Sequence, residues 1–266
     1  MKYTIDHDLH IHSYLSLCSK DPEQNGERML QYAKEYGLKT ICVTDHFWDE
    51  AVPVDSTWYA KQDYAHIAAI KPLPQDEEVR FLFGCETELD YMLTLGLSKE
   101  KQELFDFIII PTTHMHSTGF TISEEDAATP AGRAKCWVKR LDAVLHMDLP
   151  YHKVGIAHLT CGLTAHKTRE EFLEVFRLIP QQELERLFTR AAELGAGIEL
   201  NADDMKFADE ETETIMRVYR TAKACGCKFY LGSDAHHPAN FEIAIKAFER
   251  AINLLELTED DKFILK

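Results

Sequence analysis

The sequence has no long hydrophobic run and no export signal. Its longest apolar run, FDFIII, is much too short to cross a bilayer, and the opening MKYTIDHD lacks the apolar central region of a signal peptide. We therefore expect a cytoplasmic protein with no membrane partner. Long Gly/Ser linkers, low-complexity tracts and internal repeats are also missing, so residues 1–266 are expected to form a single domain.

Positive charge is scarce. The chain has 29 Lys and Arg residues against 45 Asp and Glu, which gives a formal net charge of −16. This excess repels polyanions, so no stable nucleic acid complex is expected. A small phosphorylated substrate is compatible with the charge, because a bound metal makes its own site locally positive. No feature of the sequence indicates an oligomeric state.

The cysteines do not form a recognisable disulfide or zinc framework. Their number is odd, seven, and in a chain without an export signal this predicts reduced thiols. Cys225 and Cys227 form a C-x-C pair, which differs from the usual zinc-ribbon spacing and has no second pair nearby. A structural zinc site is therefore not expected there.

Short runs rich in Val, Ile, Leu and Phe alternate with amphipathic stretches. We expect seven strands, at 3–11, 39–44, 79–86, 105–113, 153–158, 197–201 and 228–236. Helices are predicted at 26–37, 181–195 and 240–257, and less regular patterns occupy 58–70 and 126–146. This alternation is typical of an α/β protein with a parallel sheet, and seven such units predict a distorted (β/α)7 TIM-like barrel.

The C-terminal end of every predicted strand carries residue types that bind metals. In strand order these are His10 and His12, Asp45 and His46, Glu86, His114 and His116, His158, Glu199 and Asn201, and Asp234, His236 and His237. One histidine at a strand end is usually a structural or surface residue. Because the strand ends of a barrel meet at one rim, the repeated pattern instead predicts a metal site there.

The donor set also indicates the kind of metal. Imidazoles with carboxylates suit zinc, manganese or iron better than calcium or magnesium alone. The donors exceed what one ion accepts, so we expect two or three divalent ions, with Glu86 or Asp234 as a bridge. Asp8 and Asp45, next to candidate histidines, are expected to orient the imidazoles.

The ordered series H-x-H, T-D-H, G-x-E, a histidine after strands four and five, and S-D-A-H resembles the PHP (polymerase and histidinol phosphatase) family, and the resemblance runs from Asp8 to His236. It implies a distorted (β/α)7 barrel with a trinuclear metal site that hydrolyses phosphoesters. By position, the implied ligands are His10, His12, Glu86 and Asp234 for the first ion, Glu86, His114 and His158 for the second, and His46 and His236 for the third.

The third-ion site departs from the family pattern. Many members have a further histidine six residues after the H-x-H pair, whereas this chain has Cys18. A thiolate binds zinc, so Cys18 is the expected ligand; the alternatives are Ser16, Asp21 or a weak or empty third site. In the THMH motif we assign His114 rather than His116 as the ligand, because it is closer to the strand end.

Substrate contacts are expected at the same rim. In histidinol-phosphatase-like members a basic residue after the sixth-strand E-x-N meets the substrate phosphate, which implies Asn201 and Lys206 here. His116 and His237 are expected to face the substrate, where a histidine could protonate the leaving group. A second basic group is expected to form a solvated helix face: Arg133, Lys135, Lys139 and Arg140.

The expected function is hydrolysis of a small-molecule phosphate monoester by a metal-activated hydroxide. The first alternative is a phosphodiesterase acting on short nucleotides or oligonucleotides. The second is a metallohydrolase of amidohydrolase type, which also begins with H-x-H and ends with an aspartate but normally has eight strands. The third is a metal-binding regulator without turnover.

Overall fold

The computed structural model describes residues 1–165 and 167–265, in which strands and helices alternate. The strands are β1 His7–Ile11, β2 Thr40–Val43, β3 His46–Phe47, β4 Arg80–Phe83, β5 Cys85–Thr87, β6 Ile108–Pro111, β7 Val154–Ala157, β8 Gly197–Asn201 and β9 Lys228–Gly232. The α-helices are α1 Gly26–Tyr36, α2 Tyr64–Ile67, α3 Glu124–Ala127, α4 Pro130–Val144, α5 Arg169–Leu178, α6 Gln181–Leu194, α7 Thr212–Ala224 and α8 Asn240–Leu255. Short 3₁₀ helices lie at Tyr59–Lys61, Ala68–Ile70, Lys99–Leu104, Tyr151–Lys153, Gly162–Thr164, Asp209–Glu211 and Glu259–Asp261.

These strands occupy the seven predicted positions. β3 continues the path of β2, and β5 continues that of β4 after an interruption at Gly84. Glycine is needed at this point because a Cβ would lie 2.5 Å from the carbonyl oxygen of Phe107. All paired strands are parallel, in the order β1-β2-β4 and then β3-β5-β6-β7-β8-β9.

The two ends of the sheet are joined by the segment that follows β9. The backbone N–H of Asp234 donates to the carbonyl of His10 at 2.8 Å, and the N–H of His12 donates to the carbonyl of Ala235 at 3.1 Å. The fold is therefore the predicted distorted (β/α)7 barrel of TIM type, although regular pairing in the seventh strand stops at Gly232.

Side chains alternate between the barrel interior and the surrounding helices, as the pleat of a strand requires. In β6, Ile109 belongs to the interior cluster, whereas Ile108 and Ile110 belong to the larger cluster that packs against the helices. Phe263 adds to the interior cluster from near the C-terminus, and its N–H donates to the carbonyl of Phe229 at 2.8 Å.

The helix ends follow local sequence signals. Asn25 caps α1 by accepting from the N–H of Arg28, and Gly37 and Gly195 end α1 and α6 in the left-handed conformation. The three regular helices are confirmed within one or two residues. The stretch 126–146 contains the end of α3 and then α4, which begins where Thr129 accepts from the N–H of Gly132. The sequence analysis did not single out α5 and α7.

The prediction of a solvated basic helix face is wrong for two of its four residues. Lys135 and Lys139 are exposed, but Arg133 and Arg140 are buried. Arg140 donates to the carbonyl oxygens of Leu89, Thr112 and Thr121 at 2.8–2.9 Å. The guanidinium therefore fastens loops beside the candidate site and does not face solvent.

No helix in residues 1–165 and 167–265 has both the length and the apolar character needed to cross a bilayer.

The contact between β7 and β9 gives a stability prediction. A Cβ at Gly155 would lie 2.5 Å from the hydroxyl oxygen and 2.6 Å from two ring carbons of the fully buried Tyr230. We expect Gly155→Ala to lower the free energy of unfolding by ~1–3 kcal/mol through overpacking, measured by chemical denaturation. Gly162→Ala is the control, because no neighbouring heavy atom lies within 4 Å of its Cβ. Equal losses in the two variants would contradict this packing argument.

Candidate metal centre

The C-terminal strand ends bring most of the predicted ligands together. They lie within or shortly after β1 (His10, His12), β3 (His46), β5 (Glu86), β6 (His114), β7 (His158) and β9 (Asp234, His236). All are buried except Asp234 and His236, which are partly exposed. Side chains separated by more than two hundred positions thus share one region of the barrel rim.

Among the described residues, three groups of side chains have ligand atoms within 4.8 Å of one another. They are His10, His12 and Asp234; Glu86, His114 and His158; and His12, His46 and His236. The second group is the set that the resemblance implies for the second ion. In the third, His12 stands with His46 and His236, where Cys18 was expected.

Glu86 lies between the three groups. Its Oε1 is 3.0 Å from His158 Nε2, and its Oε2 is 2.8 Å from His46 Nδ1 and 3.3 Å from His12 Nε2. Nevertheless Oε2 is fully buried and accepts no hydrogen bond of acceptable geometry. A buried carboxylate oxygen without a donor is costly, and a bound cation would satisfy it.

Hydrogen bonds at Nδ1 determine where the lone pairs of the first two histidines lie. His10 Nδ1 is 2.7 Å from Glu199 Oε1, which can only accept when ionised. His12 Nδ1 is 2.8 Å from Ser16 Oγ, and the Ser16 hydroxyl already donates to Asp45 at 2.7 Å. When both rings are neutral, each Nδ1 therefore carries the proton, and the two Nε2 lone pairs face each other at 3.1 Å. A cation between them relieves this repulsion.

The histidines of the second group follow the same rule. His114 Nδ1 lies 2.7 Å from Glu88 Oε2. His158 Nδ1 lies 3.0 Å from Thr113 Oγ1, whose hydroxyl proton is donated to the carbonyl oxygen of His158. Each Nε2 is thus left unprotonated, which is the arrangement expected of metal ligands oriented by outer partners.

Around His10 and His12 the electrostatic environment favours positive charge. Burial lowers the pKa of an imidazole, but hydrogen bonds and charges from Asp234 and Glu86 outweigh it and raise the pKa of His12 to about 9. Burial likewise opposes ionisation of Glu86, yet the charges of His46 and His10 hold its pKa well below the usual value. The residues present therefore fit divalent cations.

Cys18 lines the cavity beside this centre but belongs to none of the three groups. Although Cys18 is exposed, desolvation of its thiol and the carboxylates of Glu86 and Asp234 raise the pKa of that thiol to about 12. The alternatives for this position are engaged elsewhere: the Ser16 hydroxyl bonds to His12 and Asp45, and Asp21 pairs with His237 at 2.7 Å.

A cavity of about 700 Å³ opens over the centre. One wall is aromatic, formed by Trp58, Tyr59 and Phe120, and another is polar and includes Asn201 and Lys206. Both predicted substrate-binding residues are therefore at the cavity.

Asn201 and Lys206 are held by different kinds of contact. Asn201 is buried and donates to Glu199 at 3.2 Å. Lys206 is exposed and forms an ion pair with Asp203, so a substrate phosphate would compete with that carboxylate for the ammonium group.

The two histidines predicted to face the substrate lie in different places. His116 is exposed and lines the cavity, with its ring centroid 5.7 Å from that of His114. His237 does not line the cavity; it is exposed near the start of α8, and its Nε2 faces the carboxylate of Asp21. The structure thus contradicts a substrate-facing position for His237, because the turn after His236 directs it away from the centre.

The orienting residues were only partly predicted. Asp45 orients the His12 imidazole indirectly. It accepts from the Ser16 hydroxyl, whose oxygen contacts His12 Nδ1. Asp8 contacts no imidazole; it accepts from the N–H of Ser233 at 2.9 Å and from the Tyr32 hydroxyl at 3.1 Å. The sequence analysis missed Glu88 altogether, although it follows Glu86 at the i+2 spacing that places two side chains on one face of a strand.

The family model for the PHP domain matches residues 8–201, well over half of the chain. The chain belongs to the PHP domain family. Asp234 and His236 lie beyond the matched range, but the structure places them in the same centre. No curated protein sequence matches this PHP chain significantly.

A solved structure with the same fold is that of histidinol phosphate phosphatase from Lactococcus lactis, determined with zinc, L-histidinol and phosphate. The TM-score is 0.57 and the identity 17%, over 92% of this chain and 93% of that one. At this identity the likeness concerns the fold.

A buried carboxyl beside the centre gives a pH prediction. Burial raises the pKa of Asp204 from 3.8 to about 6. Its protonated form therefore stabilises the fold below about pH 4, and this contribution is lost as the pH rises through 6. Relative to wild type, the non-ionisable Asp204→Asn should gain up to ~3 kcal/mol of unfolding free energy between pH 4 and 7.

The measurement is urea denaturation of the metal-free proteins at several pH values. Asp142→Asn is the control, because this carboxylate is exposed and pairs with Arg186 at the surface. A difference between Asp204→Asn and wild type that is independent of pH would contradict the prediction.

Proposed function

We propose that this PHP chain is a metal-dependent phosphoric ester hydrolase that cleaves a small-molecule phosphate monoester. The observation that carries the proposal is the arrangement of four imidazoles, each with Nδ1 engaged, grouped with the buried Glu86 carboxylate, whose Oε2 lacks a hydrogen-bond donor. Such an arrangement is unfavourable without cations. Family membership and the fold shared with a phosphatase solved with zinc and phosphate support the same reaction class.

We assign two or three divalent ions, zinc, manganese or iron, to the three groups. His10, His12, Glu86 and Asp234 would hold the first, Glu86, His114 and His158 the second, and His46, His236 and Cys18 the third. The imidazole of His12 also lies near the third group. Thiolate ligation by Cys18 would require the cation to displace the thiol proton.

Bound ions would supply Lewis-acid chemistry, lowering the pKa of a water and neutralising charge on the phosphoryl oxygens. The chain's own residues hold and orient the site. Glu88, Thr113 and Ser16 keep the imidazoles in one tautomer, so their geometry is fixed before substrate enters. In this proposal His116 would protonate a leaving oxygen, and Lys206 and Asn201 would contact the substrate.

The net charge of −16 disfavours polyanionic substrates, and the enclosed cavity suits one small ester. A phosphodiesterase is the second candidate, because the aromatic wall at Trp58 and Tyr59 offers rings on which a nucleotide base can stack. Family membership leaves the amidohydrolase alternative without support. We keep the cytoplasmic location and the single domain as predictions.

The assigning experiment is a p-nitrophenol-release screen after zinc or manganese is restored to the metal-free protein. We expect hydrolysis of p-nitrophenyl phosphate to exceed that of bis-p-nitrophenyl phosphate. The reverse order would favour the diesterase. Stoichiometric binding of ions without hydrolysis of any ester would indicate a regulator and overturn the proposed enzyme.

Asp234→Ala tests the ligand assignment. Removing this carboxylate, which lies 3.1 Å from His12 Nε2, should reduce bound metal and lower kcat at least ~100-fold, the loss typical of a perturbed metal site. Elemental analysis and steady-state kinetics measure the two effects. Asp142→Ala, a surface change of the same kind, should leave both unchanged. Full turnover with intact metal content in Asp234→Ala would refute the role of Asp234.

A further inference from the structure

Glu199 is fully buried and contacts residues of two candidate ion sites at once. Its Oε1 lies 2.7 Å from His10 Nδ1, and its Oε2 accepts from the backbone N–H of His158 at 2.6 Å. Asn201 donates to the same Oε2 at 3.2 Å. One carboxylate therefore touches the imidazole of a first-ion ligand and the backbone of a second-ion ligand.

The backbone of His158 needs such an anchor. Its φ is +30°, in the left-handed region that residues other than glycine rarely adopt. Three hydrogen bonds hold this conformation: the N–H donates to Glu199, and the carbonyl accepts from Thr113 Oγ1 at 2.8 Å and from the N–H of Cys161 at 3.0 Å. Without the Glu199 bond, the direction of the His158 imidazole loses one of its constraints.

The neighbouring strand leaves space for this carboxylate. A Cβ at Gly232, in β9, would lie 1.9 Å from Glu199 Oε1 and 2.8 Å from the Cβ of His10. The glycine before the S-D-A-H motif therefore permits the close approach of the Glu199 carboxylate to His10. Residue 232 must therefore lack a side chain for this contact to form.

We propose that Glu199 is a positioning residue that sets the ligand geometry of the first and second ion sites together. It fixes the tautomer of His10, so that Nε2 is the free ligand atom, and it fixes the backbone of His158. The two ions are therefore coupled through Glu199 as well as through the bridge at Glu86. This inference rests on the ligand assignment of the proposed function.

Glu199→Gln is the decisive variant because it keeps the size of the side chain. Glutamine has one acceptor oxygen, so it cannot accept from both His10 and His158, and its NH₂ group meets one of the two donors. Calorimetric titration of the full-length, metal-free protein with Zn²⁺ or Mn²⁺ should show ~10–100-fold weaker binding at two sites. The matched control is Asp49→Asn, a buried carboxylate outside the cavity whose bonds go to Ala51 and Ser98, and its ion affinity should equal that of wild type.

Two further measurements separate positioning from a general loss of structure. Long-range ¹H–¹⁵N spectra of the metal-free protein, recorded at a pH where the His10 imidazole is neutral, should show the proton at Nδ1 in wild type and a shift toward the Nε2–H tautomer in Glu199→Gln. Glu199→Asp provides a second variant if the first does not fold. It retains the charge but is one methylene shorter, so it cannot reach both His10 Nδ1 and the His158 N–H, and it should weaken ion binding.

The outcomes distinguish this inference from the proposed function. Wild-type ion affinity and an unchanged His10 tautomer in Glu199→Gln would overturn the positioning role, even if the protein hydrolyses phosphate esters. Equal weakening in Asp49→Asn would also overturn it. Selective weakening in Glu199→Gln supports the role, even if wild type proves inactive toward every ester.

Discussion

The hydrogen bond at Nδ1 of each central imidazole is the interaction on which the candidate site depends. Glu199, Ser16, Glu88 and Thr113 each accept such a bond from a different histidine. Because the acceptors are fixed in strands or tight loops, the opposite ring nitrogens converge before any ion is bound. Preorganisation of this kind costs stability, since lone pairs and carboxylates are forced together. The cost is offset when cations enter.

The fold and the candidate ligands at the barrel rim could be predicted because both follow from short-range patterns in the sequence. Continuous apolar runs alternating with amphipathic ones predict βα units, and strand ends of a parallel barrel meet at one rim. His10, His46, Glu86 and His158 were found by this rule alone. The grouping of the ligand atoms could not be predicted in the same way. His12 lies near two candidate ion sites, and only the three-dimensional structure shows this.

The remaining errors have physical reasons. Glu88 orients His114 across a gap between neighbouring strand ends, and this relation has no fixed spacing in sequence. The sequence pattern of α4 predicts a surface position for Arg140. The loops that cover α4 supply carbonyl acceptors, however, and these make burial of the guanidinium favourable. His237 follows Asp234 and His236, which lie at the barrel rim. A single turn of the backbone nevertheless places its side chain outside the cavity.

The closure of the barrel has a consequence for how the chain holds together. The joint between the first and last strands rests on two backbone hydrogen bonds, at His10–Asp234 and His12–Ala235. His10, His12 and Asp234 also supply ligand atoms of the first candidate ion site. A cation there ties the two ends of the polypeptide directly, as a crosslink closing a loop of more than two hundred residues would. Metal binding there would therefore strengthen a closure that these backbone hydrogen bonds already make.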